Sequence, residues 1–207
     1  MTDVMEEAAF IGVARHRLRT DGEGVTTLAA FHGCTLRCRY CLNPQCLRFA
    51  QSLPAFTPQT LYEMVRVDNL YFLATGGGVT FGGGEALLHA DFIRRFRQLC
   101  PEEWRVNAET SLAVPREKVD KAAEAVDFFI VDCKDMDAEI YRRYTGGDGE
   151  LMKENLRFLL ERVGPERVLM LVPLIPRFNT PEDRRRSADS LRALGVKKLD
   201  LFEYVIK

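Results

Sequence analysis

The sequence predicts an α/β fold on parallel strands, either a doubly wound sheet or a whole or partial barrel. Two observations predict it. Short apolar, β-rich runs alternate about six times with amphipathic helical patterns, the alternation that builds parallel sheets. Chemically distinctive residues follow those runs, where parallel α/β folds gather their ligands. Cys34 follows the first run, Glu85 the second and Glu109 the third, and Asp132 and Lys134 follow the fourth.

The elements can be justified in order. Val25–Phe31 is the first strand and runs into a cysteine-rich loop. TPQTLYEMVRVDNLYF reads as one helix, with Thr57 as N-cap, Pro58 in the first turn and Leu61, Val65 and Leu70 at helical spacing. Val79–Phe81 is a short strand that breaks into glycines. DFIRRFRQLC is a helix with Phe92, Phe96 and Leu99 on one face. WRVNAET is a strand, PREKVDKAAEAV a helix starting near Pro115, and DFFIVDCK a buried strand ending in charge. LMKENLRFLLERV is a helix closed by Gly164 and Pro165. RVLMLVPLIP is a strand. TPEDRRRSADSLRALG is a helix capped by Thr180 and stopped by Gly195, and KKLDLFEYV is the last strand. No repeat or long linker interrupts the order, so residues 1–207 read as a single domain.

Composition narrows the function. The net charge is -1, so no global field favours nucleic acid or an anionic membrane. No apolar run is long enough to span a bilayer, and the start, MTDVMEEAAF, is acidic, so a cytoplasmic location is expected. Six cysteines in 207 residues do not make a disulfide scaffold. In a reducing compartment a tight cluster of them reads as metal-binding or catalytic.

Cys34, Cys38 and Cys41 lie within FHGCTLRCRYCLNP. A tetrahedral zinc site needs four ligands, usually in two close pairs, and no second pair lies downstream. Three thiolates suit three corners of a [4Fe–4S] cubane and leave the fourth iron open to a small molecule. A structural zinc knuckle is the alternative. Cys46 is a possible fourth thiol, and Cys100 and Cys133 read as core cysteines.

The loop resembles the C-x3-C-x-Φ-C signature of radical S-adenosylmethionine (SAM) enzymes, with Tyr40 as the aromatic residue. Within that superfamily the chain resembles the activating enzymes of glycyl-radical enzymes. Four segments carry the likeness: RTDGEGVTTLAAFHGC, GGGVTFGGGEALL, VDFFIVDCKDMD and VPLIPRFNTPED. The resemblance implies a partial (β/α)6 TIM-like barrel, a [4Fe–4S] cluster on Cys34, Cys38 and Cys41, and SAM on the unique iron. It implies one-electron cleavage of SAM to a 5′-deoxyadenosyl radical, which takes a hydrogen atom from a backbone glycine of a partner enzyme. A flavodoxin- or ferredoxin-type electron donor is implied as well.

The resemblance also assigns residues. Gly83, Gly84 and Glu85 fall where the family holds the SAM amino group. Lys134 falls where a lysine contacts SAM, and Tyr40 beside the adenine. Glu109 and Asp132 match two acidic positions that bind a monovalent cation. The chain departs from the family in four places. Glu23 replaces a proline in the Asp-Gly-Pro-Gly segment, and Glu109 replaces an aspartate. Arg177 replaces a glycine, and Leu171 stands where an arginine often contacts SAM. Two other functions share the motif: radical modification of a peptide or small molecule, and a non-catalytic iron–sulfur or zinc module.

Overall fold

Sequential pairing decides between the two parallel architectures. The structure, a computed structural model, describes residues 7–18, 20–48 and 53–205. Its strands are β1 (Ala8–Leu18), β2 (Val25–Phe31), β3 (Ala55–Phe56), β4 (Gly78–Gly83), β5 (Arg105–Thr110), β6 (Phe128–Asp132), β7 (Val168–Leu174) and β8 (Lys198–Glu203). They form one sheet in the order β3-β1-β2-β4-β5-β6-β7-β8. From β2 to β8 each strand pairs in parallel with the next in that order. A doubly wound sheet reverses its order at a switch point, and this one does not. The order is that of a barrel, left open between β3 and β8.

Helices cover the outer face: α1 (Pro58–Val65), α2 (Asn69–Thr75), α3 (Ala90–Leu99), α4 (Arg116–Ala123), α5 (Ala138–Thr145), α6 (Gly149–Val163) and α7 (Pro181–Ala193). Alternation sends Val79, Phe81, Val106, Ala108, Phe129, Val131, Val168 and Met170 into this buried layer. Phe81 meets Phe92 and Phe96 of α3 edge-on, with ring centroids 6.3 and 5.2 Å apart. The other set of positions, including Thr80, Gly82, Asn107, Glu109, Ile130 and Asp132, faces the hollow of the open barrel. Among the described residues no helix is long and apolar enough to cross a membrane.

Four elements differ from the sequence reading, the two-residue strand β3 among them. The strand β1 is absent from that reading, because charged residues interrupt its apolar run and it pairs antiparallel onto β2 rather than following the strand–helix alternation. Its register also slips between Ala14 and Arg17, where His16 takes a positive φ of 57°. The helix α5 is absent from it too, since three charged residues obscure the buried Tyr141 and Tyr144. The predicted single helix from Thr57 breaks at Arg66–Asp68 into a tighter turn, and Leu70 is exposed.

Asp68 explains that break. It is fully buried, and its carboxylate accepts from Arg15 Nε at 2.8 Å and Thr27 Oγ1 at 3.0 Å, with His16 Nε2 2.9 Å away. Burial alone would raise its carboxyl, but the hydrogen bonds from Arg15, Thr27 and His16 hold it below the usual carboxylate range. The clasp therefore stabilises the fold at pH above the ordinary carboxylate value, and that contribution is lost as pH falls through the lower folded value. Asp68→Asn leaves Arg15 without its partner. Urea denaturation at pH 7 should show a lower midpoint than wild type. The difference from wild type should shrink in acid.

Candidate functional site

The cysteine loop leaves the end of β2 and is tied down along its whole length. The Gly33 N–H donates to the Cys46 carbonyl at 3.1 Å, closing the loop on itself. The Arg37 and Arg39 N–H groups donate to the Thr145 and Tyr144 carbonyls at the end of α5, at 2.8 and 3.0 Å. The Asn43 amide donates to the Gly83 carbonyl at 3.0 Å. From beyond β8, the Tyr204 hydroxyl donates to the Tyr40 carbonyl. His32 sits 2.7 Å from the Arg48 carbonyl through Nε2, so it is a tie within the loop.

The glycines of FGGGEALL are required by this docking. The Gly84 N–H donates to the Phe31 carbonyl at 2.9 Å, and the Glu85 N–H to the Gly33 carbonyl at 2.8 Å. A Cβ on Gly84 would fall on the Gly33 carbonyl. One on Gly83, where φ is +93°, would fall on Ala30. The sequence reading opened this stretch for a ligand. The structure uses Gly83 and Gly84 first to seat the cysteine loop on the end of β4.

Glu85 also has a role within the protein. It is buried, and its two oxygens accept from Leu87 N at 3.1 Å, Thr110 Oγ1 at 2.6 Å, Ser111 N at 2.9 Å and Ser111 Oγ at 2.6 Å. Those bonds hold the end of β4 to the end of β5. A cofactor contact by the Glu85 side chain would have to displace one of them.

The three thiols stay partly accessible on this clamped loop. Burial raises the Cys34 thiol and pushes Cys38 up to about 11. Cys46 is fully buried, and its thiol lies within hydrogen-bonding reach of Cys41. Spacing alone had not brought this fourth sulfur so near. Cys100 bonds the Phe96 carbonyl at 3.3 Å, and Cys133 is in the core, both away from the loop. Among the described residues no three His, Cys, Asp or Glu side chains converge as a single metal ion needs. A cubane spreads its thiolates over separate irons.

Below the loop, the hollow carries charge. Lys134 lies two residues past the end of β6 with a positive φ of 59°, strained for a side chain, and pairs with Asp132 Oδ2. Burial opposes its charge, but Asp132 and the neighbouring Cys38 outweigh that, so Lys134 holds its proton more tightly than usual. Asp132 Oδ1 is buried without a partner. Glu109 stands across from it, over Gly82, where a Cβ would strike the Glu109 carboxylate. Burial, then Asp21 and Asp132, push Glu109 up to about 7. Arg17 pairs with Asp21 at 2.6 Å and closes the floor of this cluster. An orphaned carboxylate oxygen, a paired lysine head and three soft thiols at one rim fit a charged ligand bound beside a thiolate cluster.

Tyr40 packs in an aromatic group at the rim. Its ring centroid lies 5.6 Å from Phe178, 6.1 Å from Tyr144 and 6.3 Å from Tyr204. Leu171 pairs with Asp132 across β6 and β7 and brings no charge to the hollow. The sequence reading missed Asp135, which is buried and joins Asn179 Nδ2 and Ser187 Oγ, each at 3.0 Å. This clasp fixes the loops after β6 and β7. The asparagine in VPLIPRFNTPED was its one visible signal. Tyr204 had none, because its target is a backbone carbonyl far along the chain.

Comparison with known proteins agrees with this geometry. The sequence pattern of the radical SAM superfamily matches residues 29–191. The chain is 30% identical to pyruvate formate-lyase 2-activating enzyme of Escherichia coli K12, over 95% of this chain and 77% of that protein. It is 29% identical to pyruvate formate-lyase-activating enzyme of Clostridium pasteurianum, over 89% of this chain and 77% of that one. In fold it is similar to the crystal structure of Streptococcus suis SuiB bound to precursor peptide SuiA, with a TM-score of 0.66 at 12% identity over 86% of this chain. It spans only 38% of that larger chain, so the likeness shows the fold alone. The open parallel sheet, the three-thiol loop at its rim and these matches together place the chain in the radical SAM superfamily, among the activating enzymes of glycyl-radical enzymes.

Proposed function

We propose that the chain cleaves SAM reductively at a [4Fe–4S] cluster and installs a glycyl radical on a partner enzyme. The observation that carries this reading is the docked loop. It offers three thiols from one rigid segment at the open end of a parallel sheet. Bound there, the cluster and SAM supply a one-electron cleavage that yields a 5′-deoxyadenosyl radical.

The chain's own residues do the rest. Cys34, Cys38 and Cys41 hold the cluster. Gly83 and Gly84 fix the height of the loop above β4. Lys134 offers a held positive charge to the carboxylate of SAM. The free Asp132 Oδ1 accepts from the SAM amino group or shares a monovalent cation with Glu109. The aromatic wall of Tyr40, Tyr144 and Phe178 shields the rim from water. The names of the activating-enzyme relatives support a glycyl-radical protein as substrate.

The direct test is anaerobic iron reconstitution, followed by SAM, reductant and a candidate glycyl-radical enzyme. A glycyl radical in the electron paramagnetic resonance spectrum is expected. SAM cleavage with no such radical on any plausible partner would point to a peptide or small-molecule substrate instead. Cys34→Ala, Cys38→Ala or Cys41→Ala should each remove the visible absorbance of the cluster and all SAM cleavage. Cys46→Ala should keep both, despite its position against Cys41. Gly84→Ala should lower cluster content and cost about 1–3 kcal/mol in urea melts without removing any thiol.

Glu109 gives a pH signature. Its carboxyl binds a proton more tightly folded than unfolded. Its contribution is therefore full below about pH 4.5 and is lost as pH rises through about 7. Urea midpoints of the metal-free protein should fall across that window, and Glu109→Gln should flatten the fall. Potassium added at pH 8 should raise the wild-type midpoint and leave Glu109→Gln unmoved. Equal effects on both would remove the cation from this site.

A further inference from the structure

Helix α5 carries two buried tyrosines, Tyr141 and Tyr144, and neither has a role in what is described above that uses its hydroxyl. The Tyr144 hydroxyl has the Tyr204 hydroxyl within reach. The Tyr141 hydroxyl is fully enclosed and, among the described residues, has no hydrogen-bond partner. A phenol shut away from water without an acceptor is destabilising, so a buried hydroxyl of this kind points to a group that completes it.

The backbone brings α5 against Cys38. The N–H groups on either side of Cys38, those of Arg37 and Arg39, donate to the Thr145 and Tyr144 carbonyls in the last turn of α5. Tyr141 lies one turn earlier on the face that carries Thr145, whose Oγ1 donates to the Tyr141 carbonyl at 2.8 Å. The ring packs where the helix meets the loop. A Cβ on Gly147 would lie 2.4 Å from Leu36 and 3.7 Å from the Tyr141 ring, and one on Gly149 would lie 3.3 Å from that ring. The two glycines therefore leave the ring its place beside Leu36, two residues before Cys38.

After burial itself, the ionisable groups acting on the Tyr141 hydroxyl are Cys38 first, then Cys133, Glu85 and Lys134. Three of these do not offer it an acceptor. The carboxylate of Glu85 already takes four hydrogen bonds, from Leu87, Thr110 and twice from Ser111. Lys134 only donates, and it is paired with Asp132. Cys133 is a core thiol that burial keeps protonated, and a neutral thiol accepts weakly. Cys38 is the one that becomes a thiolate when the loop is loaded, and charge makes sulfur a better acceptor.

We propose that the Tyr141 hydroxyl donates a hydrogen bond to sulfur of the bound cluster, at the Cys38 thiolate or the sulfide beside it, and thereby raises the cluster's reduction potential. This rests on Cys34, Cys38 and Cys41 as cluster ligands and is independent of what the radical later acts on. The reduced cluster carries one more negative charge than the oxidised one, shared with its sulfurs. A donor aimed at sulfur therefore favours the reduced form. The proton stays on the tyrosine oxygen, and the electron comes from whatever reductant is supplied.

The test titrates reconstituted holoenzyme, without SAM, against redox mediators and reads the reduced cluster by electron paramagnetic resonance. Tyr141→Phe keeps the ring and removes only the hydroxyl. At a fixed solution potential it should lower the ratio of reduced to oxidised cluster about tenfold, a midpoint about 59 mV lower. The amino acid 3-fluorotyrosine, placed at position 141, is a stronger donor and should move the midpoint up. Electron–nuclear double resonance of reduced wild type in heavy water should show a coupled deuteron that Tyr141→Phe lacks. A wild-type midpoint in both variants overturns the proposal. So does a lower urea midpoint with the potential unmoved, which would assign the hydroxyl to a trapped water or to Cys133. If Tyr141→Phe takes up no cluster, the fluorotyrosine protein decides: a raised potential supports the hydrogen bond and an unmoved one overturns it. Wild type that binds no cluster would overturn the cluster reading and this inference together, whereas an intact cluster with unmoved potentials overturns this inference alone.

Discussion

Gly84 can carry no side chain, because the Gly33 carbonyl occupies the space where its Cβ would be. Much of the site depends on that close approach. It lets the strand end of β4 and the start of the cysteine loop exchange backbone hydrogen bonds as if they were one more step of the sheet. A loop held by its backbone keeps its side chains free, which is what three ligating thiols need. It also loses little further entropy when it binds, since its conformation is already set.

The same joint links the charged groups to the thiols. Glu85, next to Gly84, is locked onto Thr110 and Ser111 at the end of β5. Glu109 belongs to that strand and faces Gly82, while Asp132 ends the next one and Lys134 follows it. Parallel registry puts these ends at one level, so the acidic pair, the lysine and the sulfurs share one rim. The hollow gathers Asp21, Glu109 and Asp132, with Arg17 and Lys134 as positive groups that act on Glu109. Burial first, and then this imbalance, push its carboxyl up to about 7, and the imbalance suits the floor to a cationic ligand.

Stability and function draw on different parts of the sheet. The outer face is apolar and closed by phenylalanines against α3. The inner face accepts cost: an orphaned Asp132 oxygen, a strained Lys134 backbone and a buried Glu109 carboxyl. Such costs are held in place by the clasps around them, Asp135 with Asn179 on one side and Asp68 with Arg15 on the other.

The sequence by itself determined the alternating strands, the capped ends of α1 and α7, and the three-thiol loop. Each rests on neighbours a few residues apart: side-chain alternation, Thr57 and Thr180 as caps, and C-x3-C-x2-C spacing. It also placed Glu109, Asp132 and Lys134 at strand ends. The resemblance implied the partial barrel that the strand order bears out, and only the tertiary structure decided that β1 pairs backwards onto β2 and that the glycines serve the loop before any ligand. Only it turned the Glu85 side chain inward, brought Cys46 against Cys41 and gathered Arg39, Arg143 and Arg177 at one face. Most of those outcomes depend on contacts between residues tens of positions apart, and the pairing of Cys46 with Cys41 depends on how the docked loop turns between them. Local propensity carries no term for them, because packing and long-range hydrogen bonds set which distant groups meet.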